Sequence, residues 1–107
     1  MSTNEARKNL HQLARVLESI KTELQNFISN SISEDSSIKA KNKESIEGLK
    51  VMLEYAKKKL TALDEIKTIF RSSTREKIEN MKKYFSQLER EYTTAEKDYL
   101  DSKQTFH

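Results

Sequence analysis

Residues 73–102 read STREKIENMKKYFSQLEREYTTAEKDYLDS, and within them Ile78, Met81, Phe85, Leu88, Tyr92, Ala95 and Tyr99 stand 3, 4, 3, 4, 3 and 4 residues apart. An α-helix turns once in about 3.6 residues, so this alternation keeps one apolar stripe on a single surface for about six turns. The polar residues between fall on the other faces. The stretch predicts a long amphipathic helix that needs partners.

Two upstream stretches repeat the pattern. Ile46, Leu49, Leu53, Ala56, Leu60 and Leu63 follow at 3, 4, 3, 4 and 3, as do Leu10, Leu13, Leu17, Ile20, Leu24 and Phe27. Met52, Ile66 and Phe70 widen the middle stripe, and Ala14 and Ile28 broaden the first, which favours packing against two neighbours over the narrow seam of a two-stranded coil. Helices are therefore expected over about 4–29, 38–70 and 73–104, in one domain spanning residues 1–107.

The connections carry their own signals. Asn30-Ser-Ile-Ser-Glu-Asp-Ser-Ser37 is rich in side chains that hydrogen-bond nearby backbone and compete with helical pairing. Arg71-Ser-Ser-Thr74 is short enough to force the flanking helices to be antiparallel neighbours. Ser2 with Glu5, and Ser73 with Glu76, read as capping boxes at helix starts. Gly48 lies inside the second helix at a cost of about 1 kcal/mol relative to alanine, and would permit a close helix approach or a bend. The expected architecture is all-α: an elongated, antiparallel, up-down-up three-helix bundle with coiled-coil-like packing, about 40 Å long.

Composition excludes much else. With one Gly and no Pro, the chain lacks the turn residues of a β-rich fold and the positive-φ backbone of a loop-built active site. Cysteine is absent, which removes disulfides and Cys-based zinc sites and suits a reducing compartment. No apolar run approaches the ~20 residues that cross a bilayer, and the amphipathic, charged N-terminal stretch is unlike a signal peptide. His11 and His107 have no ligand partner at helical spacing, no Gly-x-Ser-x-Gly turn exposes a nucleophile, and no glycine-rich loop can cradle phosphate. An enzyme, a cofactor, a metal and a small-molecule substrate are not expected.

Binding is the remaining class. The basic excess falls on residues 37–70, where eight lysines stand against five acidic residues. Lys57-Lys58-Lys59 is its densest run, with Glu54, Asp64 and Glu65 interleaved. An anionic membrane surface or acidic protein surface is the functional reading; a solvated helix face is the plain one. Nucleic acid is not expected, since Tyr55 is the only aromatic among these lysines and no reader motif is present. Val51, Tyr55 and Ile69 lie off the main stripe of the second helix and Tyr84 lies beside that of the third. With Lys57 and Lys58 they are the candidate partner-binding residues.

The stretch Ile46 to Leu63, the polar turn Arg71-Ser-Ser-Thr74, and then Ile78-Glu-Asn-Met-Lys-Lys-Tyr-Phe-Ser-Gln-Leu88 leading to Glu89-Arg-Glu-Tyr92 resemble the N-terminal Habc-type domain of SNARE proteins. The likeness is to the Qb group that includes membrin and to the v-SNAREs with an N-terminal helical domain. The aromatic-acidic opening of the v-SNARE subgroup is missing from Met1 to Leu10. The resemblance implies an excised, non-catalytic regulatory domain of vesicle traffic and membrane fusion, at the cytosolic face of the Golgi, endoplasmic reticulum or endosome. Its implied partners are helical: trafficking adaptors, tethers or its own SNARE helix. Two alternatives stand beside it. One is a structural coiled-coil subunit of a cytoskeletal, kinetochore or tethering complex, pairing its heptads between chains; the other is a basic module on anionic membranes.

Overall fold

The computed structural model describes residues 3–32, 37 and 40–104. Among them all regular structure is helical: α1 (Thr3–Ser31), α2 (Asn42–Glu65), a single 3-10 turn (Lys67–Ile69) and α3 (Ser72–Gln104). The molecule measures 54 × 19 × 18 Å. It is longer than the sequence suggests because α3 alone runs for 33 residues, or about 50 Å at 1.5 Å per residue.

The three apolar stripes meet in one core. Leu13, Leu17, Ile20, Leu24 and Phe27 of α1, all six stripe residues of α2, and Ile78, Phe85, Leu88, Tyr92 and Ala95 of α3 are buried, with Leu10, Met81 and Tyr99 packed at the margin. Each helix touches the other two. The Phe27 and Tyr99 rings meet edge to face with centroids 5.9 Å apart, a geometry that sets the positive edge of one ring on the negative face of the other. Ala6 extends the α1 stripe by one further position and is fully buried.

The expected second helix to residue 70 is corrected by the structure: α2 stops at Glu65. Continuing the seven-residue repeat past Leu63 would bring Lys67 onto the buried seam, where an unpaired ammonium is costly. The chain tightens into the 3-10 turn instead, and Lys67 Nζ sits 3.6 Å from Asp64 and 3.7 Å from Glu79. Lys82 completes the cluster at 3.3 Å from Asp64 and 3.5 Å from Glu79. The Lys82 hydrogen bond, helped by the charge of Lys67, holds the Asp64 carboxyl below its ordinary pKa, and Lys82 is correspondingly held above its own.

Phe70 makes the break between the two helices. It is the extended residue of the link, with φ −92° and ψ 157°, and its ring is buried in the core. The helix resumes at once, so the Arg71 carbonyl accepts the first bonds, from the N–H groups of Thr74 and Arg75 at 3.0 Å each. Ser73 therefore lies inside α3, and the capping box expected from Ser73 and Glu76 is displaced by the early restart. Ser2 of the other expected box lies outside the described residues, as do residues 33–36 of the first connection and Ile38, the expected start of the second helix. What the structure describes of that link begins later than expected: α1 continues to Ser31.

Ile20 is fully buried whereas Val51 is 65% exposed. Ile20→Ala should cost about 2–5 kcal/mol by removing core contacts and leaving a cavity, while Val51→Ala should stay within about 0.5 kcal/mol. Urea unfolding midpoints of the two variants against the parent provide the measurement.

Candidate functional site

The inward stripe of α2 fixes which residues face out. Directly opposite lies a second series, Gly48, Val51, Tyr55, Lys58 and Ala62, again 3, 4, 3 and 4 residues apart. Gly48, Val51, Tyr55 and Lys58 are exposed and Ala62 is half-buried. The same period that builds the core thus writes a second, weaker stripe on the outside of the rod.

Tyr55 is held in place within this face. Lys59 Nζ lies 5.5 Å from the centre of its ring and donates to Asn9 Oδ1 at 2.9 Å. The cation thereby bridges α2 to α1 and props the ring while 42% of the tyrosine remains exposed. The alkyl stem of a lysine also covers apolar surface next to such a ring.

The opposite flank of the face turns toward α3. Lys57 lines both a groove of about 620 Å³ between α2 and α3, shared with Lys50, Arg90 and Glu89, and a shallow depression of about 510 Å³ beside Lys58, Thr61 and Ala62. Leu53 and Tyr92 form the groove's floor, and both are buried in the core. The groove is a polar crevice of mixed charge, able to take ionic contacts from an extended or helical segment.

Gly48 has no role inside the chain. A Cβ placed there would meet nothing within 4 Å, so no close approach of a neighbouring helix within the chain explains it.

Of the sequence-identified residues, Val51, Tyr55 and Lys58 come together on the outer face, with Lys57 at its α3 edge. Ile69 is exposed but sits in the 3-10 turn beyond the end of α2. Tyr84 does not join the patch. It packs against the core from α3, and its hydroxyl is buried with no hydrogen-bond partner among the described residues. Burial first, then the nearby carboxylates of Glu18 and Glu91, push its pKa up. The correction has a simple cause: Tyr84 stands next to the seam residue Phe85 and turns toward the core. Tyr92, by contrast, donates its hydroxyl to Glu96 at 2.8 Å and is likewise held protonated, mainly by burial and by that bond.

Gly48 and Ala62 were not recoverable as site residues by looking for large apolar side chains. Their signal is spacing alone, since small residues can hold places in a helix-docking stripe without looking hydrophobic.

Among the described residues, no group of three or more His, Asp or Glu side chains is placed to hold a metal. No helix among them is long and apolar enough to cross a membrane. Comparison with protein-family models, with curated proteins and with solved structures returned no match to this chain.

Gly48→Ala should stabilise the isolated protein by about 0.5–1 kcal/mol, because helix propensity improves and no contact opposes the methyl group. Thermal unfolding measures it. A loss of stability would mean that the glycine serves the fold, contrary to its open surroundings.

Proposed function

We propose that this chain is a non-catalytic, protein-binding helical domain that receives a partner helix along the outer face of α2. The observation that carries the reading is the second stripe, Gly48, Val51, Tyr55, Lys58 and Ala62, with a helix-interior glycine that nothing inside the chain requires. A partner helix crossing at Gly48 could approach α2 closely, pack on Val51 and the propped Tyr55 ring, and exchange charge with Lys57 and Lys58.

The finer architecture belongs to the same proposal: helices running up, down and up. Three pairs support it. Asn42 at the start of α2 bonds Ser31 at the end of α1, Lys59 late in α2 bonds Asn9 early in α1, and Phe27 and Tyr99 meet late in their helices. The Asp64–Lys82 contact likewise joins the end of α2 to the early part of α3.

The biological setting rests on the SNARE-type resemblance alone. In that setting the domain binds adaptors, tethers or the SNARE helix of its own protein on the cytosolic face of an endomembrane. Binding through one exposed helix face needs no catalytic group.

A photo-activated crosslinker at position 51 tests the reading against one at position 83, which is exposed on α3. In cell extract the expected result is a discrete protein adduct from position 51, absent from position 83 and reduced at least tenfold by Tyr55→Ala with Lys58→Glu. Equal labelling from both positions, or none from 51, overturns it. Adducts of lipid rather than protein would favour the anionic-membrane alternative.

A further inference from the structure

Asn42 is the one buried polar residue among the described core positions, at 3% exposure. Counting back four from Ile46 lands on it, so it holds the first place of the inward stripe of α2. Ser31, four beyond Phe27, holds the last place of the stripe of α1. The two meet where the stripes end.

Their hydrogen bonds are directional. Asn42 Nδ2 donates to Ser31 Oγ at 3.2 Å, and the Ser31 hydroxyl donates to the Phe27 carbonyl at 2.8 Å. The serine hydrogen is committed to the backbone, so its oxygen accepts and Asn42 Nδ2 supplies the donor, while the buried Asn42 Oδ1 has no hydrogen-bond partner among the described residues.

That pair matters because the rest of the seam repeats itself. With Ser31 level with Asn42, antiparallel counting sets Phe27 level with Ile46, Leu24 with Leu49, Ile20 with Leu53, Leu17 with Ala56 and Leu13 with Leu60. A slip of one heptad sets Ile20 level with Ile46, Leu17 with Leu49, Leu13 with Leu53 and Leu10 with Ala56. Every one of those layers is still apolar on apolar. At the ends the slip sets Leu63 level with Thr3 and carries Phe27 beyond the start of α2, and within the seam Asn42 falls level with Leu24, where its amide loses its acceptor. Lost burial of Phe27 and Leu63 opposes the slip at its two ends, and within the seam the stranded Nδ2 donor opposes it as well.

We propose that the Asn42–Ser31 pair is a register lock, which selects one alignment of α1 on α2 and rejects heptad-slipped ones. A single polar position on an apolar seam performs this service in coiled coils at some expense of stability. The inference rests on the up-down-up arrangement proposed above. It extends that reading, because a single register is what keeps the stripe on α2 at a fixed place on the rod.

The chain contains no cysteine, so paired spin labels can be set at positions 23 and 61, both exposed, and their separation read by pulsed electron resonance. The parent should give one narrow distribution. Asn42→Leu should keep the protein folded, raise its melting temperature and add a second population, displaced by up to about 10 Å, the axial rise of seven residues. The exchanged variant, Ser31→Asn with Asn42→Ser, should return a single population. One narrow distribution in Asn42→Leu overturns the lock, as does slippage in the exchanged variant. Unfolding of Asn42→Leu also overturns it, because the pair would then be a source of stability rather than of register. A parent distance near the ~57 Å of an unfolded-back helix would instead remove the bundle reading itself.

Discussion

Each helix of this chain buries a single stripe and leaves the rest of its surface in water, so none is self-sufficient. Isolated helices are marginal because nucleation is costly, and tertiary packing of the apolar face provides most of their stability. Here the packing is reciprocal: α1 needs α2 and α3, and each of those needs the other two. The closest approach to an anchor is the set of fully buried side chains Leu13, Ile20, Leu63 and Ile78, drawn from all three helices. Everything else, from the exposed stripe to the ion cluster, is positioned by that mutual burial.

The link between α2 and α3 illustrates how a local conflict is resolved. A straight helix would carry Lys67 into the core and leave Phe70 to follow at a later turn. Ending at Glu65 removes the conflict, placing the ammonium between Asp64 and Glu79 while the phenyl ring stays in the core. The exposed ion pairs add little stability, being screened and entropically costly.

Much of this was legible in the sequence. The 3-4 alternation named nearly every core residue, because burial on a helix is a matter of angular position. Helix ends were less legible. The end of α2 could have been found by asking which residue the repeat would bury next, and the displaced start of α3 follows from Phe70 once that end is known. Tyr84 misled because a residue adjacent to a seam can turn toward it or away, a choice made by the neighbouring helix rather than by spacing. Gly48 and Asn42 carried signals that composition hides: one is too small to register as apolar and the other too polar to be counted as core. In the proposed reading both matter for how the stripe of α2 is presented, the glycine by leaving room and the asparagine by fixing alignment.

A folded-back rod and a filament built from several chains can both be made from the same heptads, and they differ in which chain supplies the partner helix. Spin labels at Ser19 and Ser86, both exposed, address that directly when labelled protein is diluted into an excess of unlabelled protein. The folded-back bundle places them under about 30 Å apart, given interhelical spacings of about 8–10 Å and a modest axial offset, and dilution leaves the signal unchanged. A separation approaching the ~100 Å of a continuous helix, or a short distance that vanishes on dilution, would contradict the burial of the three stripes within one chain.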